Sequence, residues 1–162
     1  MSSTYSACPH CGKTVERFLN PAPTVDVIIH HPDRGVVLIS RANPPLGHAL
    51  PGGFVDEGES TECAAVREAF EETHLRVRLT GLLGVYSDPR RDPRRHTLSA
   101  VYTAETDNPD DLRAGDDAAQ AAFYPLDALP SLVFDHERIV RDFMDVLAGK
   151  HALTKLAYPL EG

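Results

Sequence analysis

Three glutamates and an arginine fall within the six residues from Arg67 to Glu72. Residues three and four positions apart are neighbours on an α-helix, so a helix here crowds Glu68, Glu71 and Glu72 on one face. Like charges at this spacing cost an isolated helix roughly 0.2–0.5 kcal/mol per pair. Carboxylates gathered despite that cost are suited to a divalent cation that prefers hard oxygen ligands. A purely solvated face is the alternative.

Glycines and helix-capping residues flank this run. Pro51-Gly52-Gly53 permits a tight turn in which the backbone approaches a ligand closely. Gly58 interrupts the chain, and Ser60 or Thr61 can then serve as the helix N-cap. We expect the helix to end near Thr73. The side expected to face the core carries Cys63, Val66, Phe70 and Thr73.

The segment from Gly53 to Leu75 resembles the signature of the Nudix hydrolases. That signature reads glycine, five residues, glutamate, seven residues, arginine-glutamate, an aliphatic residue, any residue, two glutamates, any residue, glycine and an aliphatic residue. Ala69 is smaller than the usual aliphatic residue, and His74 replaces the second glycine. That glycine ends the helix in the left-handed region, so we expect His74 to lower stability modestly and to leave activity intact. The matching positions are Gly53, Glu59, Arg67, Glu68, Glu71, Glu72 and Leu75.

The resemblance implies an α/β fold, specifically an α/β/α sandwich with a mixed central sheet, and metal-dependent hydrolysis of a diphosphate bond. It implies that Mg²⁺ or Mn²⁺ is held by Glu68 and Glu72, with further ligands from Glu71 and the turn at Gly53. Arg67 would orient the glutamates by ion pairing. The implied catalytic residues are therefore Glu72, Glu71 and Arg67. The general base is left open between a glutamate of the helix and an acidic residue of a downstream loop.

Arginines and prolines dominate the segment 87–96, which reads SDPRRDPRRH. Guanidinium groups on a stiff loop can bind phosphate or pyrophosphate through paired hydrogen bonds. The alternative is a basic surface loop that balances an acidic protein. The segment resembles the corresponding stretch of the ADP-ribose pyrophosphatases, and the segments 20–25 and 134–136 show weaker similarity to that subgroup. The implied substrate-binding residues are Arg41, Arg90, Arg91, Arg94 and His96.

The expected reaction is hydrolysis of ADP-ribose to AMP and ribose 5-phosphate. The alternatives are hydrolysis of oxidised nucleoside triphosphates or dinucleoside polyphosphates, and a non-catalytic domain that senses ADP-ribose. The chain has no tryptophan, so the candidates for stacking on adenine are other aromatic residues, each of which can instead be a core residue. These candidates are Phe54, Tyr86, Phe123 and Tyr124.

One position departs from the related sequences in a way that bears on the base. Those sequences often have a carboxylate where this chain has Gln120. Glutamine cannot act as a base or as a strong metal ligand. The role would then pass to Asp116, Asp117 or a glutamate of the helix, and otherwise activity would be lower.

Cys8 and Cys11 form a C-x-x-C-G pattern, the knuckle of a zinc ribbon. A tetrahedral site needs four ligands, and the chain has no second such pair. We therefore expect a half-ribbon without metal. The alternative is a zinc site at Cys8 and Cys11 that is completed by a second subunit or by histidines, namely His10, His30 or His31. The third cysteine, Cys63, is expected to be a core residue.

The apolar patterns predict one domain with a short appendage. Residues 1–20 form the appendage with its half zinc ribbon, and residues 21–162 form the Nudix domain. A net charge of −8 argues against a nucleic-acid partner. We further expect a cytoplasmic protein with a small-molecule nucleotide substrate, no membrane contact and a possible homodimer. Predicted strands cover 24–30, 36–40, 77–86, 98–102 and 121–124; a polar loop covers 105–118, and a last helix covers 135–148.

Overall fold

The computed structural model describes residues 3–115 and 118–154. Two helices and a set of mostly short strands make up this part of the chain. The strands are β1 (Ser3–Ala7), β2 (Thr14–Phe18), β3 (Ala22–His31), β4 (Gly35–Arg41), β5 (His48–Ala49), β6 (Gly52–Phe54), β7 (Arg78–Tyr86), β8 (Thr97–Glu105) and β9 (Ala118–Tyr124). The helices are α1 (Thr61–Thr73) and α2 (His136–Leu147).

β3 lies in the middle of a mixed sheet. It is antiparallel to β4 and β6 and parallel to β8, and β7 continues the sheet antiparallel to β8. β5 and β9 both pair with β4. The parallel register sets Thr24 opposite Ser99 and Ala22 opposite Thr97. The loop that precedes β8 therefore returns to the start of β3.

Alternate residues of β3 face opposite helices. Val25, Val27 and Ile29 pack in one core with the alanines of α1. Ile28 packs in a second core with Ile139 of α2. Both faces of β3 are buried, which explains its nearly continuous apolar sequence. The helices cover opposite faces of the sheet, and the predicted α/β/α sandwich is confirmed.

The predicted core face of α1 is wrong at two positions. Cys63 and Phe70 are exposed, and the buried part of the helix is lined mainly by alanines. Small side chains let the helix approach the sheet closely, so they occupy the contact in place of the larger residues. The same rotation turns Glu72, which is only 7% exposed, toward the sheet. The buried alanines are Ala64, Ala65 and Ala69.

The predicted strands of the main sheet are present with small shifts at their ends, and α2 lies within the predicted range 135–148. The short β5 and β6 and the hairpin of β1 and β2 were not predicted, because these segments lack an apolar alternation. Nearly all residues of the hairpin are exposed. The division into residues 1–20 and 21–162 stays a prediction. In the described part of the chain, neither helix has the length and apolarity needed to cross a membrane.

Candidate active site

Both ends of α1 are capped as the sequence predicts. The Ser60 hydroxyl accepts a hydrogen bond from the Cys63 N–H at 3.2 Å. At the other end His74 lies in the left-handed region, with φ of 59°. Its N–H donates to the Phe70 carbonyl at 2.8 Å. The helix is thereby fixed at both ends, and its carboxylates project from a rigid element.

The backbone of the turn at Pro51-Gly52-Gly53 packs against the carboxylates of α1. The Gly52 N–H donates to Glu72 Oε2 at 2.9 Å. A side chain at Gly53 would overlap the Glu68 carboxylate, and a side chain at Gly52 would overlap the Val25 carbonyl oxygen. Glycine is required at Gly52, where the obstacle is backbone, while a side chain at Gly53 would displace the Glu68 carboxylate. The turn and the two glutamates therefore form one continuous surface.

Arg67 is the hub of the carboxylate cluster. Its Nη1 donates to Glu68 Oε1 at 2.8 Å and to Glu71 Oε2 at 3.0 Å. Its Nε and Nη2 each donate to a Glu59 oxygen at 2.9 Å, and Nη2 also donates to the Phe54 carbonyl. The hydrogen bonds from Arg67 lower the pKa of Glu59, and those to Glu59 raise the pKa of Arg67 above its ordinary value. One guanidinium thus orients three carboxylates.

Negative charge exceeds positive charge at this cluster. Three carboxylates pair with Arg67, and Glu72 lines the same cleft as Glu68, so four carboxylates belong to one site. Burial raises the pKa of Glu68; hydrogen bonds and charge from Arg67 oppose that rise, while Glu71 and Glu59 add to it. A group with a raised pKa that faces like charges favours an additional cation. The donor set is made of hard oxygens, as Mg²⁺ prefers.

The described residues do not assemble three or more histidine, cysteine or carboxylate side chains into a complete metal cage. Mg²⁺ does not require such a cage, since it usually keeps several waters and takes one or two carboxylates together with substrate phosphates. Glu68 and Glu72, with a carbonyl of the glycine turn, meet that requirement. The residues present therefore fit a magnesium or manganese ion.

A cleft extends from the carboxylates toward α2. Its two adjoining parts share Arg41, Arg94 and the residues of β6. Glu68 and Glu72 line one part. The other part is polar and aromatic, and it is lined by residues that include Asp26, Arg91, Phe134 and His136. Arg41 and Arg94 therefore lie between the carboxylates of α1 and the part of the cleft that is nearer to α2.

Two of the other predicted substrate-binding residues, Arg90 and His96, lie elsewhere. Arg90 is exposed and pairs with Asp88 at 3.1 Å. The His96 Nε2 lies 3.3 Å from the Ser87 carbonyl oxygen. Neither Arg90 nor His96 lines the two parts of the cleft. A role for them in substrate binding stays a prediction.

Arg91 lies at the centre of a buried network. Its side chain is 5% exposed, and its Nη2 donates to Asp135 at 2.8 Å and to Asp26 at 3.1 Å. Its Nη1 donates to the Thr97 hydroxyl. The Ser99 hydroxyl donates to Asp26 at 2.6 Å. Arg91 therefore ties the arginine loop to β3, β8 and the start of α2.

Asp26 is the carboxylate on which this network converges. Burial alone would raise its pKa, but His136, Arg91 and Ser99 outweigh that effect and lower the pKa to about 2. The His136 Nδ1 accepts a hydrogen bond from the Leu50 N–H at 2.9 Å, and its Nε2 lies 3.3 Å from Asp26. We did not predict Asp26 from the sequence. The available signal was a carboxylate within the apolar run of β3.

A family model for the NUDIX domain matches residues 20–143. The chain belongs to the Nudix family. It is 48% identical over 134 residues to a protein named ADP-ribose pyrophosphatase from Methanocaldococcus jannaschii, an alignment that covers 82% of this chain and 78% of the relative.

Two solved Nudix structures extend this finding. The NUDIX domain of Shewanella oneidensis NrtR, complexed with ADP ribose, is similar with a TM-score of 0.68 and 27% identity. That match covers 80% of this chain and 90% of the NrtR chain. A NUDIX hydrolase from Nitrosomonas europaea shares the fold at a TM-score of 0.74 and 22% identity, covering 94% of this chain and 92% of that one.

Of the aromatic residues proposed to stack on adenine, Phe54 lines the cleft of this Nudix fold. Tyr86 is buried, and its hydroxyl donates to Asp142 at 2.8 Å. Phe123 contacts His31, and Tyr124 contacts His48. A second aromatic residue of the cleft, Phe134, was not predicted to stack. Its only signal was the weak similarity of the segment 134–136.

The general base is not settled by the Nudix framework. Gln120 is an exposed residue of β9 that pairs with Ser40 of β4. Asp116 and Asp117 lie outside the described residues. Just before them, the Gly115 N–H donates to the Glu72 carbonyl at 3.0 Å. The helix glutamates are therefore the candidates that the structure describes.

Cys8 and Cys11 lie at the turn of the β1–β2 hairpin. The Cys8 N–H donates to the Lys13 carbonyl, and the Gly12 N–H donates to the Cys8 carbonyl, both at 2.8 Å. Backbone hydrogen bonds from His10 and Cys11 lower the pKa of the Cys8 thiol. His30 and His31 instead contact Phe143 and Phe123. Zinc occupancy stays a prediction.

Proposed function

We propose that this Nudix protein hydrolyses the diphosphate bond of ADP-ribose and releases AMP and ribose 5-phosphate. The observation that carries the proposal is the single cleft, in which the carboxylates Glu68 and Glu72 adjoin Arg41 and Arg94. A diphosphate needs cationic donors on its oxygens and a group that activates water beside it. The similarity to the Methanocaldococcus jannaschii protein named ADP-ribose pyrophosphatase supports this substrate.

The metal ligands in this proposal are Glu68, Glu72, Glu71 and a carbonyl of the turn at Gly53. The ion is Mg²⁺, with Mn²⁺ as its substitute. When bound, it would neutralise charge on the phosphate oxygens and lower the pKa of a bound water. Glu72 is held for this task by the Gly52 N–H at 2.9 Å.

Arg67 serves as a positioning residue. It fixes Glu68 and Glu71 by hydrogen bonds of 2.8 and 3.0 Å, so both carboxylates keep their orientation when the cation arrives. Glu71 is the more accessible of the two, with a side chain that is 55% exposed. Glu71 and Glu72 are our candidates for the group that accepts the proton of the attacking water.

Arg41 and Arg94 are the proposed phosphate-binding residues. The Arg41 Nε donates to the Pro45 carbonyl at 2.9 Å, and the Arg94 Nε and Nη2 donate to Asp92 at 3.0 and 2.8 Å. A guanidinium has five N–H donors, so these bonds leave others for a ligand. Arg91 would act indirectly, because its donors hold the loop that carries Arg94.

The test is a substrate screen at fixed Mg²⁺, with products separated by chromatography. The panel contains ADP-ribose, an 8-oxo nucleoside triphosphate, a dinucleoside polyphosphate and NADH. We expect the highest kcat/KM for ADP-ribose, with AMP and ribose 5-phosphate formed in equal amounts. A higher kcat/KM on another compound would overturn the substrate assignment. Tight binding of ADP-ribose without AMP release would establish the sensing alternative.

A homodimer also remains a proposal. Sedimentation equilibrium across a range of protein concentrations would measure it directly. A mass equal to one chain at every concentration would reject it.

A further inference from the structure

Phe134 adopts a backbone conformation that a bulky residue rarely takes. Its φ is 60°, in the left-handed region. Residues of this kind are strained, and they persist where the surrounding structure holds them. The neighbouring backbone is anchored, since the Val133 N–H donates to the His48 carbonyl at 2.9 Å. A side chain at Gly47 would also overlap Val133. The chain is thus held so that the Phe134 ring enters the cleft.

Two arginines from different elements meet on this ring. The guanidinium carbon of Arg41 lies 5.1 Å from the ring centroid, and that of Arg94 lies 5.4 Å away. Both distances are within the range of a cation–π contact. Arg41 ends β4 and Arg94 belongs to the loop before β8, so residues far apart in sequence converge on one aromatic residue.

The two arginines would otherwise repel each other. Both guanidinium carbons lie within 5.4 Å of one ring centroid. Burial and the charge of Arg94 lower the pKa of Arg41. Asp92 anchors Arg94 through two side-chain hydrogen bonds, and the Pro45 carbonyl anchors Arg41 through one. None of these bonds links Arg41 to Arg94. The Phe134 ring contacts both guanidinium groups, and the Asp92 charge acts on both of them as well.

The ring is itself held in place from the buried side. Its centroid lies 5.3 Å from the His136 ring. His136 is 3% exposed and is fixed by the Leu50 N–H and by Asp26. The buried network around Arg91 therefore continues into the cleft through Phe134. Phe54, the other phenylalanine of the cleft among the described residues, instead contacts Arg95, whose guanidinium carbon lies 5.6 Å from its ring centroid.

We propose that Phe134 is a positioning residue for the diphosphate, because its ring contacts and holds both Arg41 and Arg94 at the junction between the carboxylates and the inner cleft. This inference rests on the proposed function and deepens it. The ligand chemistry is a pyrophosphate group with two anionic phosphates. Without the ring, the two guanidinium groups separate, and part of the free energy of ligand binding is used to bring them together again. Affinity for the diphosphate then falls, while the chemical step at the carboxylates is unaffected.

The experiment compares Phe134→Leu with Phe134→Tyr. Leucine keeps the apolar bulk and a similar backbone cost, and tyrosine restores the ring. For each variant, calorimetry measures inorganic pyrophosphate binding at fixed Mg²⁺, and initial rates give KM and kcat for ADP-ribose. For Phe134→Leu we expect the pyrophosphate Kd and the KM to rise by about fivefold to tenfold, the size of a partly desolvated cation–π contact. We expect kcat to change by less than about threefold, and Phe134→Tyr to stay near wild type.

A double-mutant cycle with Arg94 separates positioning from a general structural role. In an Arg94→Gln background, Phe134→Leu should change KM by less than about twofold, because the partner it positions is gone. The matched control is Phe70→Leu. Phe70 is exposed and does not line the cleft, and the guanidinium carbon of Arg76 lies 5.5 Å from its ring centroid. Phe70→Leu should leave both constants at the wild-type values.

Three results would overturn the inference. They are an unchanged pyrophosphate Kd in Phe134→Leu, an equal loss in Phe134→Tyr, and a fall in kcat with KM unchanged. If the wild-type chain hydrolyses no nucleoside diphosphate compound, the proposed function is wrong. The inference about Phe134 still holds in that case if Phe134→Leu weakens pyrophosphate binding. Absence of pyrophosphate binding by the wild-type chain would overturn the inference alone, because the substrate screen tests the proposed function separately.

Discussion

The molecule contains two clusters of charge that are built in opposite ways. At α1, three carboxylates pair with Arg67, Glu72 lines the same cleft, and the Glu71 side chain is 55% exposed. At the start of α2, Arg91 is 5% exposed and is paired with Asp26 and Asp135. The first cluster has excess negative charge and is open to the cleft. The second is mostly buried and more nearly balanced, since two carboxylates face one guanidinium and the Ser99 hydroxyl donates to Asp26.

The difference distinguishes a site that can take a ligand from one that holds the fold. An enclosed ion pair with satisfied donors has little to gain from a ligand, and breaking it leaves a buried charge without compensation. An open cluster with excess charge gains from a cation. Both clusters come from motifs that look equally functional in sequence, so burial and charge balance are what separate them.

The largest expected effect belongs to the open cluster. Glu72→Gln keeps the size of the side chain but removes the negative charge that faces the glycine turn. We expect turnover of ADP-ribose to fall by about 10²-fold or more, because a lost ligand or base acts on the transition state. Initial rates and circular dichroism measure activity and fold. Near-normal turnover would refute the assigned role, and Glu105→Gln, an exposed strand residue, is the control.

The enclosed cluster should affect stability more than chemistry. Asp26→Asn leaves Arg91 with one charged partner in a buried site. We expect a loss of about 3 kcal/mol in the free energy of unfolding, as for other broken buried pairs. Urea denaturation measures it. The control is Asp88→Asn: the pKa of Asp88 is also lowered to about 2, but its partner Arg90 is exposed, so we expect no measurable loss.

The loss of stability in Asp26→Asn should depend on pH. The pKa of Asp26 is about 2 in the folded chain, below the ordinary value of 3.8. A lowered carboxyl pKa stabilises the fold above the unfolded value, and that stabilisation is lost as pH falls through the folded value. The stability difference between wild type and Asp26→Asn should therefore be constant above about pH 5 and shrink between about pH 4 and 2. A difference that grows as pH falls would contradict the network.

A smaller effect is expected at the end of α1. His74 has a φ of 59°, where glycine has no steric penalty. His74→Gly should stabilise the fold by about 1 kcal/mol and raise Tm by about 2–4 °C. His74→Ala is the control, because alanine has the same backbone penalty as other non-glycine residues. An equal rise in both variants would show that the imidazole, not the backbone, lowers stability.

The smallest effect should come from the hairpin. The double variant Cys8→Ser, Cys11→Ser alters an exposed turn on β1–β2, and neither residue lines the cleft. We expect kcat/KM for ADP-ribose to stay within about twofold of wild type, since changes distant from a site act independently of it. Metal analysis of the purified wild-type chain tests the expectation that no zinc is bound. A large fall in activity would show that the hairpin supports the cleft.

The sequence was sufficient for the longer strands of the main sheet, for both α-helices and for the residues of the open cluster. The limits of α1 follow from Ser60 and His74, and the strands follow from apolar runs, because both signals are local. The role of Arg91 was not accessible in the same way. Its partners Asp26 and Asp135 lie 65 and 44 residues away. The parallel pairing of β3 with β8 brings Asp26 close to the arginine loop, and Asp135 comes from the start of α2.

The error on α1 has a different cause. Helical periodicity places Cys63 and Phe70 correctly on one side, but it does not say which side meets the sheet. The alanines decide this, because close packing against β3 admits only small residues there. Phe134 was missed as a cleft residue since its position depends on a left-handed backbone and on two distant arginines.

The central claim is that the open cluster, not the enclosed one, binds the cation. Titration with Mn²⁺, followed by the electron paramagnetic resonance of the free ion, tests it without any substrate. We predict that wild type binds Mn²⁺, that Glu72→Gln weakens this binding by at least about tenfold, and that folded Asp26→Asn binds as wild type does. Equal Mn²⁺ affinity in wild type and Glu72→Gln would contradict the account.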